Sequence, residues 1–158
     1  MSQSRAPQDS TVITTHLVLP PDTNALGSAF GGRIMQWMDI AAAVAAGRHC
    51  GLPVVTVALD DVHFARPIRL GDVVMLRACV NHAGKTSMEV GVRVEREEPR
   101  TRRVEHCLSG YFTFVAVNHQ GEPTQVPPLE PRTDIDRTRF KAAEARRERR
   151  LAQRHKDT

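Results

Sequence analysis

A single carboxylate, Asp39, lies inside the most apolar stretch of this 158-residue chain. The stretch is Asn24–Ala46, NALGSAFGGRIMQWMDIAAAVAA, and from Ile34 to Ala46 only Gln36 and Asp39 interrupt it. A helix that is apolar on all sides is buried on all sides. Asp39 has no lysine or arginine one turn away along that helix. Burying an unpaired carboxylate is costly, so such a residue either works chemically or is paired from elsewhere. The chemistry open to it is proton acceptance or nucleophilic attack. The structural alternative is a buried side chain that caps a neighbouring loop.

The elements around Asp39 follow from the pattern. Thr11–Leu19 is rich in β-branched residues and reads as a strand, ended by Pro20-Pro21. Asp22–Ala29 is a loop, and Gly31-Gly32 opens the helix, which ends near Gly47–Gly51 with Arg48 and His49 at its C-terminus. Strand-like runs follow at Val54–Phe64, Val73–Val80, Thr86–Val94 and Val104–Val117, each bounded by turn residues. Short connections favour antiparallel neighbours. The chain is too short for a membrane bundle, so the wrapper of the apolar helix must be the sheet. The predicted architecture is therefore α+β: a five-stranded antiparallel β-sheet curled around one central helix, the hotdog arrangement, over residues 11–131. Residues 1–10 read as a disordered lead. Residues 132–158 read as a basic helical tail that docks weakly and contributes little to the core.

Composition narrows the function. One domain of this length buries about 70% of its unfolded surface. No apolar run reaches membrane-spanning length, and the first ten residues lack the apolar core of a secretory signal. Cys50, Cys79 and Cys107 have no CxxC spacing, which suits reduced thiols and a cytoplasmic location. The seven histidines are scattered, so no metal site is expected. The formal charge of +4 resides in the tail, where ten Lys and Arg face five Asp and Glu. A basic tail on an otherwise balanced domain is an unpromising nucleic-acid surface, and none is expected.

Four separated segments, PPDTNALGSAFGGRIMQWMDIAAAVAA, VVTVALDDVHFARPIRLGDVV, GKTSMEVGVRV and YFTFVAVNHQGEPTQVP, resemble the acyl-CoA hydrolase branch of the hotdog thioesterases in content and in order. That resemblance implies hydrolysis of acyl-CoA to a free acid and coenzyme A, without a metal or further cofactor. It also implies a homodimer with shared active sites, often assembled as a trimer of dimers. By the same resemblance Asp39 matches the catalytic aspartate, Asn24 its companion asparagine, and Gly31-Gly32 the glycine pair that caps the central helix. Phe30 stands where many other hotdog thioesterases have histidine, which argues against the phenylacetyl-CoA type. Val44 stands where hotdog hydratases carry their second acid-base group, and Ala43 where some hotdogs place a water-orienting hydroxyl.

Thioester hydrolysis needs a base for the attacking water and donors for the developing oxyanion. Asp39 supplies the first, as base or as nucleophile. The N–H of Gly31 or Gly32 supplies the second, because a helix start has free N–H groups and glycine admits close approach. Asn24 would hold water or carbonyl through its amide. The structural alternatives are a tight glycine turn and a turn-forming asparagine. Arg66, Lys85, Thr86 and Ser87 lie at strand ends or turns and are candidates for the coenzyme A phosphates. Met35, Trp37 and Met38 could line an acyl tunnel or be plain core. A non-catalytic acyl-CoA-binding or regulatory hotdog is the competing class, although a pure binder has no need of the Asp39 carboxylate.

Overall fold

The computed structural model describes residues 3–157. Five strands form one sheet: β1 (Val12–Leu17), β2 (Val54–Asp60), β3 (Val73–Ala83), β4 (Ser87–Glu97) and β5 (Val104–Ala116). Their spatial order is β1-β3-β4-β5-β2, with every neighbouring pair antiparallel. Helix α1 (Gly31–Cys50) lies on the inner face, and helix α2 (Asp134–Arg154) packs against the sheet from the C-terminal segment.

Alternation decides the inner face. Val74, Leu76, Ala78 and Val80 of β3 are buried beside Met88, Val90, Val92 and Val94 of β4. From α1 they meet Ile34, Met38, Ala41, Ala42, Ala45 and Ala46, all buried. Four of these six are alanines, and short side chains let the helix backbone approach the sheet closely while larger strand residues fill the space.

The sheet does not enclose α1 completely. Ile40 is 55% exposed and Val44 43%, on one stripe with the exposed Gln36. The edge strand β2 also leaves Val55 47% and Val57 54% exposed. The expectation of a helix buried on every side therefore fails on one face, beside an open sheet edge. The physical reason is geometric: a single curled sheet of five strands covers only part of a helix's circumference.

Both ends of the chain are more firmly held than the sequence predicts. The expected disordered lead is laid down from Gln3 onward; Met1 and Ser2 lie outside the described residues. Arg5 N–H donates to Pro128 O, Glu130 N–H donates to Arg5 O, and the buried Ser10 hydroxyl accepts from Val80 N–H. The tail also docks, through charge. The Arg146 guanidinium makes a two-pronged bond to Glu89 on β4, with contacts of 3.1 and 2.7 Å, and lies 3.5 Å over the Tyr111 ring centroid. Both partners are buried. Asp136 closes a capping box with Thr133 and accepts from Gln8, so the lead helps fix the start of α2. Arg150 and Arg149 reach Asp60 and Asp61 at 2.8 and 3.1 Å. The expectation of weak docking counted only apolar anchors, and these anchors are ionic.

Removing one member of a buried, hydrogen-bonded ion pair leaves the other uncompensated and typically costs about 3–5 kcal/mol. Arg146→Ala should therefore lower the urea-unfolding free energy by about 3 kcal/mol. The double variant Arg146→Met/Glu89→Leu, which removes both charges, should lose clearly less. Equal losses in the two variants would show that Glu89 does not depend on Arg146.

Candidate active site

The loop before α1 is tied down from several sides. Phe30 N–H donates to Asp22 O at 2.8 Å, Ala29 N–H donates to Ile68 O at 2.6 Å, and the Asp22 carboxylate pairs with Arg33 at 3.2 Å. Within the loop the Asn24 side-chain carbonyl accepts the N–H groups of Leu26 and Ser28, at 2.9 and 3.2 Å. Only the oxygen can accept from two N–H donors, so the amide orientation is settled by its partners. The Asn24 NH2 then faces outward as a donor on an exposed residue.

Helix α1 starts without a side-chain cap at Phe30. Arg33 and Ile34 N–H both donate to Phe30 O, and the N–H groups of Gly31 and Gly32 precede any intrahelical acceptor. The Phe30 ring folds over Gly32 so closely that an added Cβ would lie 2.7 Å from its Cε1. Phe64 stands over Gly31, where a Cβ would lie 3.5 Å from its Cζ. A cavity of about 260 Å³ opens beside this helix end, with Ile34, Phe64, Arg66 and Ile68 in its wall. Two aromatic rings thus stand over the glycines at the helix start.

Asp39 is half-buried and not wholly without a partner. The Thr56 hydroxyl donates to its Oδ1 at 2.7 Å. Thr56 belongs to β2 at the point where the register against β5 skips between Thr56 and Ala58. Thr56 lies opposite Phe114, whose buried ring is on the inner face, so ordinary pairing aims its hydroxyl at the helix from the strand VVTVALD. Sequence reasoning sought an orienting hydroxyl one turn along α1, found Ala43, and missed Thr56 seventeen residues away. The signal that could have found it is the lone polar residue within the apolar part of β2.

The remaining candidates divide. Arg66 is half-exposed at the start of α1 and pairs with Glu105 at 3.0 Å; the hydrogen bond from Arg96 holds the Glu105 carboxyl below the usual carboxylate range. Lys85, Thr86 and Ser87 form the β3–β4 turn at the other end of α1, where Lys85 O accepts Val126 N–H and His49 contacts Pro127 O. One chain therefore does not bring Arg66 and Lys85–Ser87 together. Gly32 and Asp39 are likewise about 10 Å apart along the unbroken helix. Among the proposed tunnel residues, Met38 is fully buried core, Met35 is half-buried, and Trp37 stacks on His16 with ring centroids 4.3 Å apart. Burial pushes the His16 imidazole below its ordinary value, which favours the neutral ring in that stack.

Residues 26–102 match the family described as the thioesterase superfamily. An uncharacterized acyl-CoA thioester hydrolase of Bacillus subtilis is 38% identical over 132 residues, covering 84% of this chain and 77% of its own. Acyl-coenzyme A thioesterase 11 of Mus musculus is 41% identical over 142 residues, and the chain spans 24% of that longer protein. Among solved structures, the acyl-CoA hydrolase of Staphylococcus aureus, in complex with butyryl coenzyme A and coenzyme A, superposes with a TM-score of 0.91 at 34% identity, covering 98% of this chain and 94% of that one. An apo-hexameric acyl-CoA thioesterase superposes at 0.92 with 39% identity, covering 96% and 97%. The Staphylococcus aureus enzyme has also been solved with alanine in place of an asparagine, an aspartate and a threonine. In that chain the asparagine precedes the aspartate by fifteen residues and the threonine follows it by seventeen, which is the spacing of Asn24, Asp39 and Thr56 here.

Gly32→Ala brings a methyl group against the Phe30 ring, which is 60% exposed and must swing aside, so the change should cost about 1 kcal/mol or less. In a Phe30→Ala background the same change should cost almost nothing, because the colliding atom is gone. Thermal unfolding of the four-member cycle measures this. Additive losses would show that Gly32 serves something other than the approach of Phe30.

Proposed function

The chain belongs to the acyl-CoA hydrolase branch of the hotdog-fold thioesterase superfamily, and on that premise we propose that it hydrolyses acyl-CoA to a free carboxylic acid and coenzyme A. The observation that carries the reading is the Asp39–Thr56 pair at 2.7 Å, two turns from a helix start with free N–H groups.

The hydroxyl of Thr56 occupies Oδ1 of Asp39 and leaves Oδ2 to act. As general base, Asp39 takes a proton from water while the water oxygen bonds to the thioester carbon. The carbonyl oxygen becomes an oxyanion and is met by Gly31 and Gly32 N–H and the positive end of α1. Collapse of the tetrahedral species breaks the carbon–sulfur bond, and the leaving thiolate recovers the proton from Asp39. As nucleophile, Asp39 would first form a mixed anhydride with the acyl group, which water then opens. Both routes use the same carboxylate and consume one water. The outward NH2 of Asn24 serves as a further donor to the carbonyl or to the water. No metal or other cofactor enters either route.

Helix geometry calls for two chains. The exposed apolar stripe of α1 and the exposed edge of β2 flank Asp39, and pairing them across a two-fold axis buries both. Antiparallel α1 helices then set Asn24 and Gly32 of one chain opposite Asp39 of its partner. They also bring Arg66 of one chain to the end where the partner presents its Lys85–Ser87 turn, within reach of the coenzyme A phosphates. The hexameric relative supports a trimer of such dimers. The free thiols of Cys50, Cys79 and Cys107 support a cytoplasmic setting.

Steady-state hydrolysis over an acyl-CoA chain-length series tests the proposal. Asp39→Asn is nearly isosteric and should reduce kcat on the best substrate by about 10²–10⁴. Thr56→Val should reduce it by roughly tenfold or more, the worth of a hydrogen bond to a charged group. Absence of turnover on every member of the series, with acyl-CoA still bound, would favour the non-catalytic binder. A kcat for Asp39→Asn within a few-fold of wild type would remove Asp39 from the chemistry.

A further inference from the structure

The open face of α1 carries one polar side chain beside two apolar ones. Gln36, Ile40 and Val44 follow one another at helical spacing, and all three are exposed. Ile40 and Val44 belong to the surface that the proposed pairing of two chains buries. Gln36 goes under with them. Its amide carries two donors and an acceptor, and each needs a partner once water has left.

Part of that need is met inside the chain. The Arg33 guanidinium donates from Nη1 to Gln36 Oε1 at 3.1 Å. Arg33 is itself held at Nε by the Asp22 carboxylate, at 3.2 Å. The other oxygen of that carboxylate accepts Leu19 N–H at 3.0 Å. A guanidinium only donates, so the Gln36 atom it meets is the carbonyl oxygen, and the orientation of the amide follows. The Gln36 NH2 makes no hydrogen bond among the described residues.

Symmetry gives that NH2 a destination. The proposed pairing sets Gly32 level with the partner's Asp39. The two-fold axis then crosses α1 midway between these positions, between Met35 and Gln36. Met35 is half-buried, whereas Gln36 lies on the open face. Each chain therefore presents its Gln36 amide at the axis to the amide of the other. Packed helix axes lie about 8–10 Å apart, close enough for facing side chains to touch. The Gln36 oxygen bonded to Arg33 keeps a second lone pair free for a donor from across the axis.

We propose that the two Gln36 side chains of a dimer form a reciprocal amide pair on the two-fold axis and so set the register of the two α1 helices. Gln36 is thus a positioning residue. It aligns the glycine N–H groups of one chain with the carboxylate of the other without touching substrate. The inference rests on the two-chain reading of the active site and supplies what fixes its alignment. Sliding the helices until Gln36 meets the partner's Ile40 would bury both amides against aliphatic side chains. It would also set Gly32 opposite the partner's Val44 in place of Asp39. A lone polar residue in an apolar coiled-coil seam specifies register through the same penalty.

Cysteine cross-linking of the full-length protein tests the geometry. A disulfide needs Cα atoms about 4.4–6.8 Å apart. Gln36→Cys should give a covalent dimer on mild oxidation, reversed by reductant, while wild type with its Cys50, Cys79 and Cys107 stays uncross-linked. Ile40→Cys should not cross-link, because the two copies of that position stand roughly 13 Å apart along the helices. This arm reads the geometry whether or not the chain turns over acyl-CoA. Gln36→Leu should keep the assembly mass and a Tm no lower than wild type. Its kcat on the best acyl-CoA should fall about tenfold or more with KM little changed, since a displacement of about 1 Å at the reacting atoms is costly. A cross-link at Ile40→Cys as strong as that at Gln36→Cys would overturn the proposal and leave α1 as the interface. No cross-link at either position, in a protein that native mass spectrometry shows to be dimeric or larger, would overturn it together with the two-chain site. A wild-type kcat in Gln36→Leu would overturn the positioning role while leaving the two-chain site standing.

Discussion

An α-helix rises about 1.5 Å per residue, and this fixes how far apart the two ends of the proposed chemistry stand. The free N–H groups are at Gly31 and Gly32, and the carboxylate is at Asp39, on one continuous helix. A carbonyl under attack needs its oxyanion donors and its water within about 3 Å of the reacting atoms. A rigid helix with seven residues between the two groups cannot fold them together. The sheet makes the helix more rigid by burying Ile34, Met38 and the alanines beneath it. What the fold leaves open is the face carrying Ile40 and Val44 and the edge carrying Val55 and Val57, both beside the carboxylate. The incomplete wrapping of α1 and the separation of the two groups both fit the proposed pairing with a second copy of the chain.

Much of this architecture was legible because its determinants are local. The alternation in Val73–Val80 and Thr86–Val94, the apolar run after Gly32 and the turn residues between strands each act over a few positions. Asp39 could be read in the same way, since a charged group in an apolar run marks itself, whereas Asn24 and the glycine pair were matched through the family resemblance. What could not be read depends on distant partners. Thr56 reaches Asp39 only because β2 pairs at the sheet edge with Thr56 opposite the inward Phe114, which is a property of the β2–β5 pairing. Arg146 looks like one more solvated charge in RRERR until Glu89, far away in sequence, is found buried beneath it. Residues 3–10 have the composition of a loose end, yet Ser10 and Arg5 find acceptors and donors on remote segments.

The two faces of the sheet divide the work by polarity. The inner face is aliphatic and supports a helix whose only acidic side chain is placed against a single hydroxyl. The outer face is ionic, with Glu89, Glu95, Arg77 and Arg93 projecting from β3 and β4 toward α2. Strand periodicity allows this, since successive side chains point to opposite faces. Part of the basic charge of the tail is paired with Glu89, Asp60 and Asp61.

The central claim, one active site built from two chains, is most directly tested by subunit mixing. Asn24→Ala and Asp39→Ala homo-oligomers should each be nearly inactive. When the two chains are co-assembled at equal amounts, about half of the dimers are hybrids, and each hybrid contains one site with both residues intact. Activity should then recover to roughly a quarter of wild type if exchange is random and sites are independent. Native mass spectrometry that shows hybrids together with no recovery of activity would contradict the account, placing Asn24 and Asp39 in the same chain's site.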